Sequence, residues 1–425
     1  MSEPSITLSQ PHSGVNQPTN DYRFALFSLT SLFFMWGFIT ALNDILIPHL
    51  KGVFDLSYFQ ASLIQFCFFG AYFLVSVPAG LLVKKVGFQK GISIGLLTSC
   101  AGCIAFIPAA AIQLYWLFLG ALFILAAGIT ILQVAANPLV TIMGSANTAS
   151  SRLTMTQAFN SLGTTIAPLL GGILLLAAVG ESSEAQSVIL PYLLLAAVLF
   201  LLAMVFFKIH LPTPQICDST ESESSKDISV WRYKHLVLGA IAIFVYVGGE
   251  VSIGSYMVNF LSEDHIAGFT EAKAAAYLSY YWGGAMVGRF IGAVLMQKIP
   301  AGKLLGFNSV MAIVLISLAI SSSGSIAMWS LLLVGLFNSI MFPTIFSLAL
   351  SGLGENTSKG SGLLCLAIVG GAIVPVLQGL LADTIGLQLS FILPLICYLY
   401  IAYYGVMGHR PVIKPLASGA LAGAK

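Results

Sequence analysis

The chain consists largely of long apolar runs that short polar segments separate. A helix needs about 20 consecutive apolar residues to cross the hydrocarbon core of a bilayer, so each run predicts one membrane span. We predict twelve spans, at 24–48, 59–83, 91–112, 115–143, 152–178, 188–209, 236–261, 272–297, 303–322, 326–350, 361–382 and 387–408. The pattern therefore predicts an all-α membrane protein with twelve transmembrane helices.

The longest polar break lies at 211–232 and divides the spans six and six. Its segment 218–227 mixes Ser, Thr, Glu, Asp and Lys, which is typical of a flexible linker. We therefore predict three parts: an N-terminal six-helix bundle at 1–210, a cytoplasmic linker at 211–232 and a C-terminal six-helix bundle at 233–425.

The two halves repeat a spacing of small and helix-kinking residues. Gln133 and Asn338 each stand five residues before a proline, in the fourth and tenth spans. Three residues of the fifth span recur in the eleventh at an offset of 207, in the pairs Gly163 and Gly370, Pro168 and Pro375, and Gly172 and Gly379. Two pseudo-symmetric six-helix bundles are typical of secondary transporters, which rock around a central site.

Composition supports a membrane protein and excludes several other classes. The 425 residues are 58% hydrophobic and 8% charged, whereas a soluble domain has about 25% charged residues. A net charge of +2 does not favour nucleic acid as a partner. Residues 1–22 are polar, so they predict no cleavable signal peptide. Since no catalytic triad, phosphate-binding loop or cluster of metal ligands is visible, we predict neither an enzyme nor a bound cofactor.

The distribution of Lys and Arg predicts the orientation in the membrane. With both termini inside, the inner segments hold fifteen of the 18 Lys and Arg residues. The outer loops hold only Lys51 and Lys273, and Arg289 lies within a span. Because cytoplasmic loops carry the excess of positive charge, we predict a multi-pass protein of the inner (plasma) membrane with both termini cytoplasmic.

Two acids lie deep within predicted spans. Asp44 lies near the end of the first apolar run. A carboxylate at the middle of a lipid-embedded helix costs about 3 kcal/mol, so such an acid usually marks an ion or substrate path. Glu250 lies in the seventh span, within a glycine-containing segment at 246–255. Its role stays open between binding substrate, binding a cation and pairing with Arg289.

Polar residues at helical spacing predict a site near the bilayer midplane, between the halves. A sugar pocket needs an aromatic ring face to stack on, together with amides and carboxylates for the hydroxyls. The predicted substrate-binding residues are Trp36, Asn43, Gln133, Asn137, Gln157, Asn160, Tyr246, Glu250, Asn338 and Gln378. Each has a competing structural interpretation, as a core side chain or as a polar contact between helices.

Asp44 is the predicted coupling residue. In one version it carries a proton; in the other it stays ionised and binds Na⁺, a hard cation that suits oxygen ligands. The residues predicted to take part in cation coupling are Asp44, Asn43, Gln133 and Thr164. A gating or structural role is predicted for Arg289, Lys84 and Lys85.

Six short stretches, spread over both halves, carry a resemblance to a known family. They are 42–46 (LNDIL), 78–80 (PAG) with the lysines that follow, 135–138 (AANP), 157–163 (QAFNSLG), 288–290 (GRF) and 343–348 (PTIFSL). Together they resemble the major facilitator superfamily, and more closely its fucose permease and bacterial glucose/galactose transporter branch. The resemblance implies the major facilitator fold and uptake of a hexose or 6-deoxyhexose driven by a cation gradient.

Two positions depart from the family pattern. The fucose permease pattern pairs the acid of helix 1, here Asp44, with a Glu in helix 4, where this chain has Gln133. Because Gln cannot take up and release a proton, this departure favours Na⁺ slightly over H⁺. In the loop between helices 2 and 3, Lys84 replaces the usual Asp of the superfamily. The charge latch that this Asp customarily forms must therefore be built differently.

The predicted function is secondary active uptake of a hexose such as glucose or galactose, by cation-coupled symport with alternating access. A proton-coupled L-fucose symporter is the alternative. A drug or metabolite exporter on the same fold is less favoured, because the amide-rich candidate site suits hydroxylated ligands. A nutrient sensor is disfavoured because the polar segments are short. The predicted partners are the sugar, Na⁺ or H⁺ and the lipid bilayer, and the protein is predicted to be a monomer.

Overall fold

A computed structural model describes residues 19–54, 58–112, 114–178, 189–209 and 229–411 of the chain. Within these ranges, the description leaves out the side chains at 19–22, 42–54, 58–62, 65, 110 and 168–178. The predicted boundary between the halves, at 211–232, lies almost entirely outside the described residues and stays a prediction.

Twelve helices follow one another along the described chain, which confirms the predicted fold class. The first six are α1 (Thr19–Phe54), α2 (Tyr58–Val86), α3 (Phe88–Ile112), α4 (Tyr115–Ile142), α5 (Ala149–Ala178) and α6 (Ile189–Lys208). The next three are α7 (Lys234–Ser262), α8 (Glu271–Leu295) and α9 (Ala301–Ser321). The last three are interrupted: α10 (Gly324–Asn338 and Met341–Ala349), α11 (Thr357–Leu366 and Gly370–Ile385) and α12 (Leu387–Ser390 and Ile392–Tyr403).

The outer surface of the bundle is apolar. Within the described residues, ten helices are long and apolar enough to cross a membrane. Large apolar side chains point outwards, and Phe27, Trp116 and Phe207 are each about two-thirds exposed. Such surface is unfavourable in water but is suited to lipid tails. The remaining two helices, α5 and α8, carry more polar and small residues and face each other between the halves.

The helices pack as the sequence repeat predicts. Gly163 of α5 lies so close to α1 that a Cβ atom there would overlap the carbonyl oxygen of Phe34. Gly370 of α11 lies against α7 in the same way, where a Cβ would overlap the carbonyl oxygen of Phe244. A glycine permits this close backbone approach because it has no Cβ. The offset of 207 residues in the sequence therefore reports equivalent helix contacts in the two halves.

One end of the bundle carries a group of basic side chains. Lys84 and Lys85 lie in the last turn of α2 and Arg152 lies in the first turn of α5. We call this end the basic end. Arg152 donates hydrogen bonds to the carbonyl oxygens of Thr141 at 2.9 Å and Ser145 at 2.8 Å. A cation at this position stabilises the end of α4, where carbonyl groups lack helical partners.

The break in α10 was not predicted, since the sequence suggested one continuous span at 326–350. Ser339 and Ile340 form a turn between the two segments. Pro343 follows in the first turn of the second segment, Met341–Ala349. Proline has no N–H group and its ring clashes with the carbonyl four residues earlier, which is that of Ser339. The carbonyl groups at the break must therefore accept hydrogen bonds from elsewhere.

Candidate functional site

A cavity of about 500 Å³ lies between the two halves, bounded by α1, α5, α7 and α8. Its polar lining comes from both halves, while Trp282 supplies an indole. The lining residues are Ala41, Asn160, Ser161, Thr164, Thr165, Glu250, Ala275, Leu278, Ser279, Trp282, Gly283, Ala285 and Arg289. This central cavity combines a carboxylate, a guanidinium, an amide, hydroxyls and an aromatic surface.

The cavity is closed towards the basic end by contacts between the halves. Ser151 of α5 donates a hydrogen bond to the carbonyl oxygen of Ala293 of α8 at 2.6 Å. The hydroxyl groups of Ser150 of α5 and Ser347 of α10 are 2.6 Å apart. Beyond these contacts, a separate pocket of about 320 Å³ lies at the basic end. The central cavity therefore does not continue through the molecule in this conformation.

Glu250 is held at the cavity by a buried tyrosine. The hydroxyl of Tyr246, one turn earlier on α7, donates to Glu250 Oε1 at 2.8 Å. Tyr281 of α8 lies close to the backbone of Glu250, with its hydroxyl 3.4 Å from the carbonyl oxygen. Asn338 Nδ2 donates to the Tyr281 hydroxyl at 2.7 Å. The Tyr246 bond holds Oε1 of the carboxylate and leaves Oε2 available to a ligand.

Arg289 lines the same cavity without forming an ion pair with Glu250. Its Nε donates to the carbonyl oxygen of Ser339 at 3.0 Å, and its Nη1 donates to the hydroxyl of Ser161. Within the described residues, no contact shorter than 4 Å joins Arg289 to a carboxylate. Of the three roles left open for Glu250, a direct ion pair with Arg289 is thus not formed. A guanidinium has five N–H donors, so Arg289 retains donors for a ligand.

The polar residues of α5 divide between the cavity and the packing of the helix. Asn160 and Thr164 both line the cavity, as their spacing predicted. Asn160 Nδ2 also donates to the carbonyl oxygen of Phe33 on α1 at 2.9 Å, which anchors the amide and leaves its oxygen free. Gln157 instead is buried, with its Nε2 3.5 Å from Asn137 Oδ1.

Gln133 and Asn137 form a buried polar cluster of the N-terminal half that lies apart from the cavity lining. Gln133 Nε2 donates to the hydroxyl of Tyr72 on α2 at 3.0 Å. Gln133 Oε1 and Asn137 Nδ2 are buried without a partner in the described structure. Buried polar atoms are normally paired, so these two are candidates for a water or an ion. Their predicted roles in substrate binding and coupling stay predictions.

Trp36, Asn338 and Gln378 do not line the central cavity. Trp36 borders a small apolar gap inside the N-terminal half, and its ring packs beside Phe33 with centroids 5.3 Å apart. Asn338 is fully buried beside Tyr281. Gln378 is fully buried, with Nε2 3.3 Å from the hydroxyl of Ser390 on α12. These contacts support helix packing, and the predicted substrate roles of the three residues stay predictions.

Asn43 and Asp44 belong to α1, but their side chains lie outside the described residues. The cavity residue Ala41 precedes Asp44 by three positions. Lys84 and Lys85 are exposed at the basic end, far along α2 from its buried middle.

Trp282 is the aromatic residue of the cavity, and the sequence interpretation missed it, together with the hydroxyl residues Ser161, Thr165 and Ser279. Its indole lines the cavity and lies against Gly254 of α7, whose missing side chain makes room for the ring. Trp282 stands seven residues before Arg289, which places both on one face of α8. That spacing from Arg289, a cation deep within the eighth predicted span, was the signal that could have identified it.

Comparison with known proteins identifies the family. The sequence profile described as Major Facilitator Superfamily matches residues 26–368. The glucose/galactose transporter of Brucella abortus biovar 1 (strain 9-941) is 59% identical over 409 residues, which cover 96% of this chain and 99% of that protein. The L-fucose-proton symporter of Escherichia coli (strain K12) is 35% identical, with 88% of this chain and 90% of that protein covered.

A solved structure agrees with this assignment. The crystal structure of FucP, a Major Facilitator Superfamily transporter in the outward conformation, superposes with a TM-score of 0.83. It is 32% identical to this chain and covers 91% of it, and 98% of the FucP chain is matched. The chain therefore belongs to the Major Facilitator Superfamily and is a multi-pass membrane transporter, not an enzyme, within the branch of sugar transporters that it resembles.

Proposed function

We propose that the protein takes up a hexose such as glucose or galactose by cation-coupled symport. The observation that supports this proposal most directly is the composition of the central cavity. A volume of about 500 Å³ lies within the range of about 300–1,000 Å³ that is usual for small-molecule sites. The similarity to glucose/galactose transporters over nearly the whole chain points to the same class of ligand.

The charged groups of the cavity suit a neutral polyhydroxyl ligand. A hydroxyl can donate to the free oxygen of Glu250, and a second hydroxyl can accept from the remaining N–H groups of Arg289. Hydrogen bonds to ionised groups are about twice as strong as those between neutral groups. One carboxylate and one guanidinium line the cavity, and their charges cancel. A neutral sugar can therefore bond to both groups while the occupied cavity stays neutral overall. A lipophilic drug would leave both charges unpaired, which disfavours the exporter.

Trp282 supplies the stacking surface that the sequence interpretation had assigned to Trp36. The apolar face of a pyranose ring can lie against an indole, while its hydroxyls point to Asn160 and Glu250 across the cavity. Aromatic side chains combine a large apolar face with little conformational freedom, so such a contact orients the ring.

Replacing Trp282 with Ala is expected to weaken glucose binding about three- to ten-fold, because the indole face is lost. The matched control is Trp329→Ala. Trp329 lies on α10, packs against Tyr280 with centroids 5.7 Å apart and does not line the cavity. The measurement is the glucose affinity of each purified variant by isothermal titration. Equal affinities of the two variants would show that the indole of Trp282 does not contact the sugar.

Coupling is proposed to reside at Asp44. The neutral Gln133 in helix 4 cannot serve as a second proton carrier, so Na⁺ is favoured slightly over H⁺ as the coupling ion. The Lys and Arg pattern predicts that the basic end faces the cytoplasm, so we expect the cavity to load from outside the inner membrane. A cation that favours sugar binding must itself be bound more tightly when sugar is present.

The second candidate is proton-coupled L-fucose symport, which the 35% identity to the E. coli L-fucose-proton symporter supports. Counterflow in proteoliposomes, which needs no ion gradient, separates the candidates. Vesicles loaded with unlabelled D-glucose are expected to take up labelled D-glucose transiently, and external L-fucose should compete weakly. Exchange of L-fucose without exchange of D-glucose would replace the first candidate with the second. Exchange of neither sugar, by protein that is folded, would contradict both.

A further inference from the structure

The sequence left one question open: how the halves are held together at the basic end when Lys84 replaces the acid of the customary charge latch. Prolines in α4 and α10 provide the starting point. In a regular helix the N–H of residue 138 would bond to the carbonyl of Val134, and that of residue 343 to the carbonyl of Ser339. Pro138 and Pro343 have no N–H, so both carbonyl oxygens are left without helical partners.

Each of these two proline-freed carbonyls accepts a hydrogen bond from a group that joins the halves. The carbonyl oxygen of Val134 in α4 accepts from the hydroxyl of Ser361 in α11, at 2.9 Å. The carbonyl oxygen of Ser339 in α10 accepts from Arg289 Nε at 3.0 Å, and the same guanidinium donates to Ser161 in α5. Ser361 is fully buried and Ser161 is nearly so. The two carbonyls occupy equivalent positions of the sequence repeat, since both lie four residues before a proline.

The break in α10 receives two further side chains. The carbonyl oxygen of Phe337 accepts from Asn308 Nδ2 of α9 at 3.0 Å, and that of Asn338 is 3.1 Å from the Tyr246 hydroxyl. The carbonyls of Phe337 and Ser339 are thus held by side chains from α9 and α8, and the Tyr246 hydroxyl of α7, which donates to Glu250, lies beside the carbonyl between them. The break is therefore an ordered feature, and among its three partners only Arg289 also reaches the other half.

We propose that the two proline-freed carbonyls are the anchor points of the closed gate at the basic end, with Ser361 and the Arg289–Ser161 pair as its positioning residues. This proposal rests on transport by rocking of the halves. When the basic end opens, Ser361 separates from Val134 and Ser161 separates from Arg289. The freed carbonyls can then accept from water, because the opening admits it. In a regular helix each carbonyl oxygen already accepts one bond within the helix, so a donor from another helix shares it, whereas a proline-freed carbonyl has this bond as its main partner.

Arg289 connects this gate to the cavity. Its guanidinium lines the central cavity and simultaneously donates to Ser339 and Ser161. A sugar hydroxyl that accepts from Arg289 shares the donor group that holds the gate. Occupancy of the cavity and closure of the basic end are thereby linked through one side chain. Lys at this position would keep the charge but not the planar, multi-donor geometry.

The proposal can be tested with a cross-link that reports closure. Ser150→Cys and Ser347→Cys, combined in one chain, place two thiols where hydroxyls now lie 2.6 Å apart across the halves. The rate of disulfide formation under mild oxidation then measures the fraction of closed gates. Single-cysteine variants show any product that does not need both positions.

Ser361→Ala in this background is expected to lower the equilibrium constant for closure about five-fold, the effect of losing one buried hydrogen bond, and thereby to slow the cross-link. Ser161→Ala is expected to act in the same direction. The matched control is Ser309→Ala, since Ser309 is fully buried but bonds only to Leu305 of its own helix, at 2.8 Å. Equal rates for Ser361→Ala and Ser309→Ala would overturn the proposal. The cross-link needs no sugar, so failure of glucose counterflow would remove the proposed substrate without affecting this result.

Discussion

Replacing Asp44 with Asn is expected to abolish uphill sugar accumulation, so that the internal concentration levels off near the external one. Asn has nearly the shape of Asp but neither carries a proton nor provides the charge that holds Na⁺. Because symport requires the sugar and the cation to favour each other's binding, removal of the cation site uncouples transport from the gradient. The measurement is the steady-state accumulation ratio of labelled glucose in proteoliposomes under an imposed gradient.

The control for Asp44→Asn is Asp383→Asn, an exposed acid near the end of α11 opposite the basic end. It should accumulate sugar as the wild type does. Gradient-free exchange by Asp44→Asn would show in addition that the variant is folded and still binds sugar. Accumulation by Asp44→Asn at the wild-type ratio would contradict Asp44 as the coupling residue.

Replacing Glu250 with Gln is expected to weaken glucose binding about 10- to 100-fold, which corresponds to the loss of a hydrogen bond to a charged group, worth about 1.5–3 kcal/mol. The change keeps the shape of the side chain, and the amide oxygen can still accept from Tyr246. It therefore removes the charge without opening a gap. The sugar affinity of the purified variant measures the effect directly.

Glu355→Gln is the matched control for Glu250→Gln, because Glu355 is exposed in a short turn at the basic end. Its glucose affinity should equal that of the wild type. Melting temperatures of both variants separate a loss of binding from a loss of folding. Unchanged affinity of Glu250→Gln would mean that the carboxylate does not touch the sugar, and attention would move to Asn160 and Arg289.

The number, order and class of the helices could be predicted because membrane helices must bury their backbone polar groups within themselves. A span is therefore a local property of about 20 residues, visible without knowledge of any contact. The equivalence of Gly163 and Gly370 could also be predicted, since close backbone approach requires glycine at a fixed register. The interruption of α10 was missed because Asn338 and Ser339 stand between apolar residues and were interpreted as polar lining of one continuous span.

The candidate site could be predicted only in part, because helical spacing fixes which residues share a face but not which neighbour the face meets. Asn160, Thr164 and Glu250 face the other half and line the cavity. Gln133 and Gln378 have equally regular spacing but bond to neighbouring helices of their own half. A sequence does not distinguish a buried amide that bonds to another helix from an amide that binds a ligand.

The aromatic residue proposed to stack on the sugar ring could not be identified from helical spacing either. The spacing favours Trp36, which lies two turns before Asp44 on α1, yet its ring packs beside Phe33 inside the N-terminal half. Trp282 lies in an aromatic run with Tyr280 and Tyr281, so nothing in its immediate neighbours distinguishes it. Only the face shared with Arg289 separates it from an ordinary packing residue.

The most direct test of cation-coupled hexose uptake is accumulation of labelled glucose by proteoliposomes that contain the purified protein. An inward Na⁺ gradient is compared with an inward H⁺ gradient at the same membrane voltage. We expect glucose to accumulate above the external concentration with the Na⁺ gradient, and this accumulation to be lost in Asp44→Asn. Accumulation with the H⁺ gradient alone would reassign the coupling ion. Accumulation with neither gradient, by protein that exchanges glucose, would contradict symport.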